Sequence, residues 1–157
     1  TFLPHVIEPT FGIDRMLLVA LLEAYHEDEA PTAKRAASSE ALAQEEEKET
    51  RVVMRFPKYL APIQVAVLPL SKKKELADVA APIAATIRKF GFSVEYDETQ
   101  SIGKRYRRQD EIGTPYCVTV DFDSLNDKSV TVRERDSMKQ ERIKIEELTK
   151  YLQEQFK

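Results

Sequence analysis

Residues 63–68, IQVAVL, form an unbroken apolar run of strand length that ends at Pro69, and a strand without polar alternation must be covered on both faces. The residues that follow supply the cover. Leu76, Val79, Ala80, Ile83, Ile87 and Phe90 recur at helical spacing, with Ser71 as the expected N-cap and Gly91 as the stop. Pro82 inside that pattern predicts a kink or a break near Ala81. Residues 92–97 read as a second strand. A helix is expected from Ser101 to about Ile112, stopped by Gly113, with Ile102, Tyr106 and Ile112 facing inward and Lys104, Arg105, Arg107 and Arg108 facing outward. Residues 115–121 (PYCVTVD) and 130–135 (VTVRER) read as two more strands, separated by the turn-rich FDSLNDKS. A last helix, 145–156, has Ile145, Leu148, Leu152 and Phe156 as its buried stripe. The order β-α-β-α-β-β-α implies an α/β sandwich: a mixed sheet of about five strands flanked by three helices.

The chain before residue 51 has a different character. Residues 1–7 are short and β-compatible, Pro9 and Gly12 interrupt them, and residues 15–25 read as a helix that is apolar on nearly every side. Such a helix belongs inside something larger than a surface bundle. Residues 27–50 are polar and rich in Ala and Glu, as in a linker or surface insertion, with a frayed helix expected over 38–48. Three parts are therefore expected: 1–26, 27–50 and 51–157.

Charge and composition narrow the function classes. The formal charge of -3 is local in origin, because eight acids against three bases between residues 26 and 50 leave the remainder at +2. A basic surface elsewhere is permitted. With 157 residues, 42% of them hydrophobic, the chain can hold one ordinary domain and some extra structure, and no run approaches the roughly eighteen apolar residues of a membrane span. The expectation is a soluble protein. Cys117 is the only cysteine, so an internal disulfide and a cysteine zinc cluster are excluded; with no secretory leader visible, this points to the cytoplasm. His5 and His26 are too few for a metal triad, so no metal-ligating residues are assigned. There is no Gly-rich phosphate loop and no serine-histidine-acid arrangement. Opening on Thr1 in mid-pattern, the chain is expected to be a C-terminal fragment.

Residues 8–15, EPTFGIDR, resemble the third signature motif of class II aminoacyl-tRNA synthetases in the version found in glycyl enzymes. The resemblance implies that residues 1–26 are a strand-helix remnant of a catalytic domain. Arg15 matches the arginine that contacts the ATP γ-phosphate, a task suited to an always-charged planar fork of donors. Gly12 would let backbone lie close to the nucleotide. Glu8 matches the carboxylate that pairs with the ammonium of glycine. Thr10 stands where relatives carry Ser or Ala, and its methyl narrows a pocket that must admit glycine alone.

The resemblance continues through SIGKRYRRQDEIGTPYCVTVDFDS and TVRERDSMKQ, which are similar to the anticodon-binding domain shared by glycyl, prolyl, threonyl and histidyl enzymes. It implies an anticodon-binding-domain-like sandwich over 51–157. The full enzyme would be a cytoplasmic homodimer that uses ATP and Mg2+ to attach glycine to its tRNA, with no membrane and no DNA partner. Glycine anticodons end in two cytosines, and unpaired bases are read by stacking and edge hydrogen bonds. The expected tRNA-binding residues are Lys104, Arg105, Arg107 and Arg108 for phosphates and Arg133 and Arg135 for bases. Three other readings stand beside these. The charges at 133–136 could form internal salt bridges only, the protein could be a non-catalytic RNA-binding relative, or it could be a prolyl or threonyl relative.

Overall fold

The computed structural model describes residues 2–30 and 49–157. Helix α1 spans Ile13–Ala24 and passes directly into β1, Tyr25–Ala30, which pairs antiparallel with β2, Glu49–Met54. Both ends of the polar run 27–50 are thus strand; the helix expected over 38–48 lies outside the described residues. Residues 2–12 have no ladder partner among the described residues, and α1 buries only Ala24.

The main sheet has the order β4-β3-β5-β6-β7. Its strands are β3 (Val65–Pro69), β4 (Val94–Tyr96), β5 (Tyr116–Val120), β6 (Ser129–Glu134) and β7 (Gln140–Lys144). Pairing is parallel between β3 and both β4 and β5, and antiparallel from β5 to β6 and from β6 to β7. The fold is the mixed α/β sandwich expected. All five residues of β3 are buried, as its unbroken apolar run required. The fifth strand, β7, was not located in the sequence, because QERIK has a single apolar residue and sits at the sheet edge, where charge is a defence against further pairing.

The helices divide between the two faces. Helix α2 (Lys74–Lys89) and helix α5 (Ile145–Gln155) pack on one face through Leu76, Ala80, Ile83, Ile87, Leu148 and Leu152, against Val65, Val67, Tyr116, Val118, Val130 and Val132. Helix α3 (Ile102–Ile112) covers the other, where Ala66, Leu68 and Cys117 meet Ile102 and Tyr106. A four-residue helix, α4 (Ser124–Asp127), lies within the turn-rich segment.

Two local expectations change. Helix α2 continues through Pro82 without a break, because both Pro82 and Asp78, whose carbonyl loses its i+4 donor, are on the exposed side where water replaces the bond. Ser71 does not cap α2. The N-cap is Lys73, and the Ser71 hydroxyl only accepts from the Lys73 amide at 3.4 Å.

Candidate nucleic-acid interface

Helix α3 is the element on which the expected RNA contacts converge, and its geometry follows from its sequence. Ser101 occupies the N-cap and Gly113 ends the helix in the left-handed region at φ 89°. The face toward the sheet runs Ile102, Arg105, Tyr106, Gln109, with Asp110 beside it, at the i, i+3, i+4, i+7 spacing of a helix stripe. Arg105 therefore points inward, correcting the outward expectation. It is 1% exposed, and its guanidinium donates to the carbonyls of Pro69 at 2.6 Å, Asp97 at 3.0 Å and Leu70 at 3.3 Å. Burial lowers its pKa despite the attraction of Asp97. The period carried this information, and the charge of the residue type concealed it.

Arg133 and Arg135 are also inside, not on an exposed strand edge. Arg133 is 7% exposed and donates to both Asp110 carboxylate oxygens at 3.0 Å, with its guanidinium carbon 4.8 Å from the Tyr106 ring centre. Burial pulls its pKa down, and the Asp110 bonds outweigh that and raise it. Arg135 is 3% exposed and donates to the Gly113 carbonyl at 2.9 Å, the Phe56 carbonyl at 3.0 Å and the Asp136 carboxylate at 2.8 Å. A third arginine, Arg51 of β2, reaches the same Asp110 at 2.8 Å. Sequence reading had no way to find Arg51 or Asp110, which are 59 residues apart. These arginines meet internal carboxylates and carbonyls, and a base contact would require them to leave those partners. Glu134, between them in the chain, is less buried.

What α3 offers outward is a smaller set. Lys104 is exposed and Arg107 and Arg108 are partly exposed. The Arg108 guanidinium donates to the Asp97 carboxylate at 2.5 Å, and Thr99 donates to the same carboxylate from its amide at 2.8 Å and its hydroxyl at 2.6 Å. Burial would push Asp97 up, but the Thr99 bonds and the guanidinium of Arg108 hold it below its ordinary value. Tyr106 hydrogen-bonds Thr119 at 2.5 Å and packs inward, while Tyr116 is core at 1% exposure. Cys117 is buried, and burial pushes its thiol up to about 12. A separate groove of about 640 Å³ between β7 and α5 is lined by Arg142, Lys144 and Lys150 against Glu141, Glu147 and Glu154, so it presents no excess of positive charge.

The N-terminal candidates lie elsewhere. Glu8, Thr10, Gly12 and Arg15 are all exposed, with Gly12 as the N-cap of α1 and Arg15 in its first turn. Gly12 has a φ of -84°, so its backbone does not itself demand glycine. The described residues contain no group of three or more His, Cys, Asp or Glu side chains able to hold a metal ion, so they offer no ligand set for Mg2+. None of the described helices is long and apolar enough to cross a membrane.

Residues 64–155 match a family model described as "Anticodon binding domain". This chain belongs to the anticodon-binding domain family. The domain assignment spans the sheet from β3 through α5 and includes the whole of α3. This chain is 54% identical over 155 residues to the glycine--tRNA ligase of Thermobifida fusca, covering 99% of this chain and 31% of that protein. It is 53% identical over the same length to the glycine--tRNA ligase of Corynebacterium efficiens. It thus spans about a third of the length of these relatives. Among solved structures it resembles the prolyl-tRNA synthetase of Cryptosporidium parvum complexed with halofuginone and AMPPNP, with a TM-score of 0.59 and 26% identity over 64% of this chain and 23% of that one. The RNA binding domain of threonyl-tRNA synthetase from the same organism gives a TM-score of 0.58 at 25% identity over 64% of this chain and 25% of that one.

Proposed function

We propose that this chain is the C-terminal portion of a glycine--tRNA ligase, in which residues 51–157 hold the anticodon end of the tRNA and residues 1–26 complete the catalytic domain. The carrying observation is identity above 50% to glycine--tRNA ligases along essentially the whole chain, N-terminal motif included. The same figure favours glycine over proline or threonine, whose synthetases resemble this chain at 25–26%. The activity is ATP-dependent attachment of glycine to its tRNA, with Arg15 toward the γ-phosphate, Glu8 toward the glycine ammonium, and Thr10 and Gly12 shaping the space between them. Mg2+ is required by the full enzyme, which works as a cytoplasmic homodimer. No step is assigned to the metal through residues of this chain.

In the anticodon module, Lys104, Arg107 and Arg108 are the side chains that reach RNA, while Arg105, Arg133 and Arg135 brace the helix and strand that present them. Full-length enzyme is expected to catalyse glycine-dependent ATP–pyrophosphate exchange and to charge a tRNA whose anticodon ends in two cytosines in preference to one with either replaced. Arg15→Ala should lower exchange, costing roughly 1.5 to 3 kcal/mol for one lost charge-assisted contact. Lys104→Ala should instead weaken binding of both tRNAs alike and flatten the salt dependence by about one phosphate contact. An Arg15→Ala enzyme with normal exchange and altered tRNA affinity would refute the nucleotide role, and absence of glycine-dependent exchange in the intact enzyme would refute the reading as a whole.

A further inference from the structure

Helix α1, whose first turn holds Arg15, ends without a loop, because its C-cap Tyr25 is already the first residue of β1. The junction is fixed. The Ala24 carbonyl accepts from the Arg55 amide at 2.6 Å, and Ala24 itself is 3% exposed. Strand β1 is then paired along its whole length, from Tyr25 opposite Met54 to Ala30 opposite Glu49, so it cannot move without β2. The ribbon is joined in turn to α3. Arg51 of β2 is buried, and its guanidinium donates to Asp110 of α3 at 2.8 Å, to Asp28 of β1 at 3.4 Å and to the Arg135 carbonyl just past β6. Asp28 also accepts from Arg55 at 2.8 Å. At the end of α3 a side chain on Gly113 would fall 2.7 Å from the Met54 carbonyl oxygen, so helix and ribbon touch with no spare room. Asp110 and the outward Lys104 stand on the same short helix, about 9 Å apart at the helical rise.

A helix of this length moves as a rod, so a shift at its outward residues displaces the Asp110 carboxylate, and with it Arg51 and the ribbon that leads to α1. We propose that Arg51 is a positioning residue for tRNA charging: by gripping α3 and β1 together, it carries the engagement of the anticodon helix to the helix that holds Arg15. A guanidinium suits the place because its planar fork serves two carboxylates and a carbonyl at once. The proposal rests on the reading of the chain as part of a glycine--tRNA ligase and adds a route between its two ends. Its consequence is that a wrong anticodon slows charging and does not only loosen the hold on the tRNA. Contiguous contacts amount to coupling only where occupancy at one end changes the other, and kinetics reads that directly.

The test compares full-length wild-type enzyme with Arg51→Lys, which keeps the charge and loses the fork, in two reactions. Glycine-dependent pyrophosphate exchange without tRNA should keep its kcat and KM, since Arg51 touches no substrate. Charging of a glycine tRNA transcript should lose about tenfold in kcat, an ordinary size for a coupling, with KM for the tRNA within about twofold of wild type. Replacing one anticodon cytosine should lower the wild-type charging kcat by a similar factor and have little further effect in Arg51→Lys. Asp28→Asn removes an acceptor of Arg51 from a partly exposed place, where folding tolerates the change, and should act in the same direction by a smaller factor. A variant that had only lost folded enzyme would lose exchange and charging equally and keep its anticodon discrimination. That result, wild-type charging in both variants, or a wild-type anticodon effect lying wholly in KM would overturn the coupling and leave the ligase reading intact. Absence of glycine-dependent exchange in the wild-type enzyme would overturn both.

Discussion

Asp110 accepts from two guanidinium groups, Arg51 of β2 at 2.8 Å and Arg133 of β6 at 3.0 Å, and all three side chains are nearly inaccessible to solvent. One carboxylate thus joins the ribbon, the helix and the sheet, and the Arg51 guanidinium continues to the Arg135 carbonyl. Two buried cations sharing one anion form a fragile arrangement, since removal of the anion leaves Arg133 without a carboxylate and Arg51 with only the more distant Asp28, at 3.4 Å, in a poorly solvated place. Asp110→Asn keeps the size and deletes the charge. It should destabilise the chain by roughly 3 to 5 kcal/mol, read as a lower urea midpoint. An unchanged midpoint would mean that water reaches these guanidinium groups and that the buried network is not a structural hub.

At the scale of elements, the seat of α3 against β2 is controlled by its C-terminal glycine. A Cβ on Gly113 would lie 2.7 Å from the Met54 carbonyl oxygen and 2.8 Å from Phe56 Cδ2, and the backbone there is left-handed. Gly91, at the end of α2, has a similar φ of 91° but nothing within 4 Å of such a Cβ. The pair separates conformational strain from collision. Gly91→Ala should cost about 1 to 2 kcal/mol, the ordinary penalty for a side chain in that region. Gly113→Ala should cost roughly 2 to 5 kcal/mol, because the β2 backbone must also move. Equal midpoint shifts in the two variants would show that the ribbon yields freely and is not packed as the helix contact implies.

For the whole molecule, the contrast is between a sheet with both faces covered and an N-terminal helix with almost none. Met16, Leu17, Leu18, Val19 and Leu22 are each more than half exposed, and the preceding segment carries Phe2, Leu3 and Ile7 in the same condition. Apolar exposure on this scale marks a surface made to be covered. In the proposed enzyme, the missing cover is the rest of the catalytic domain, which also positions Glu8 and Arg15 for their substrates. The 157-residue chain alone should therefore show glycine-dependent pyrophosphate exchange at background, and robust exchange would place the whole active site within it.

Hydrophobic period and turn chemistry by themselves determined the order of elements from β3 to β6, the three long helices of the sandwich and the stop at Gly113. These are local signals: a run of five or six apolar residues, a stripe every three or four, a glycine at a helix end. The β1–β2 ribbon and β7 escaped because their residues are mostly polar, and pairing partners, not composition, make them strands. The site divided in the same way. The outward place of Lys104, Arg107 and Arg108 was legible, and the helical period already carried the inward place of Arg105 beneath its charge, but only the tertiary structure decided that Arg133 and Arg135 are internal and which groups receive all three guanidinium groups. A guanidinium is accommodated inside wherever distant carbonyls or a carboxylate converge on it. That convergence joins residues as far as 79 positions apart, a distance over which sequence pattern carries no signal.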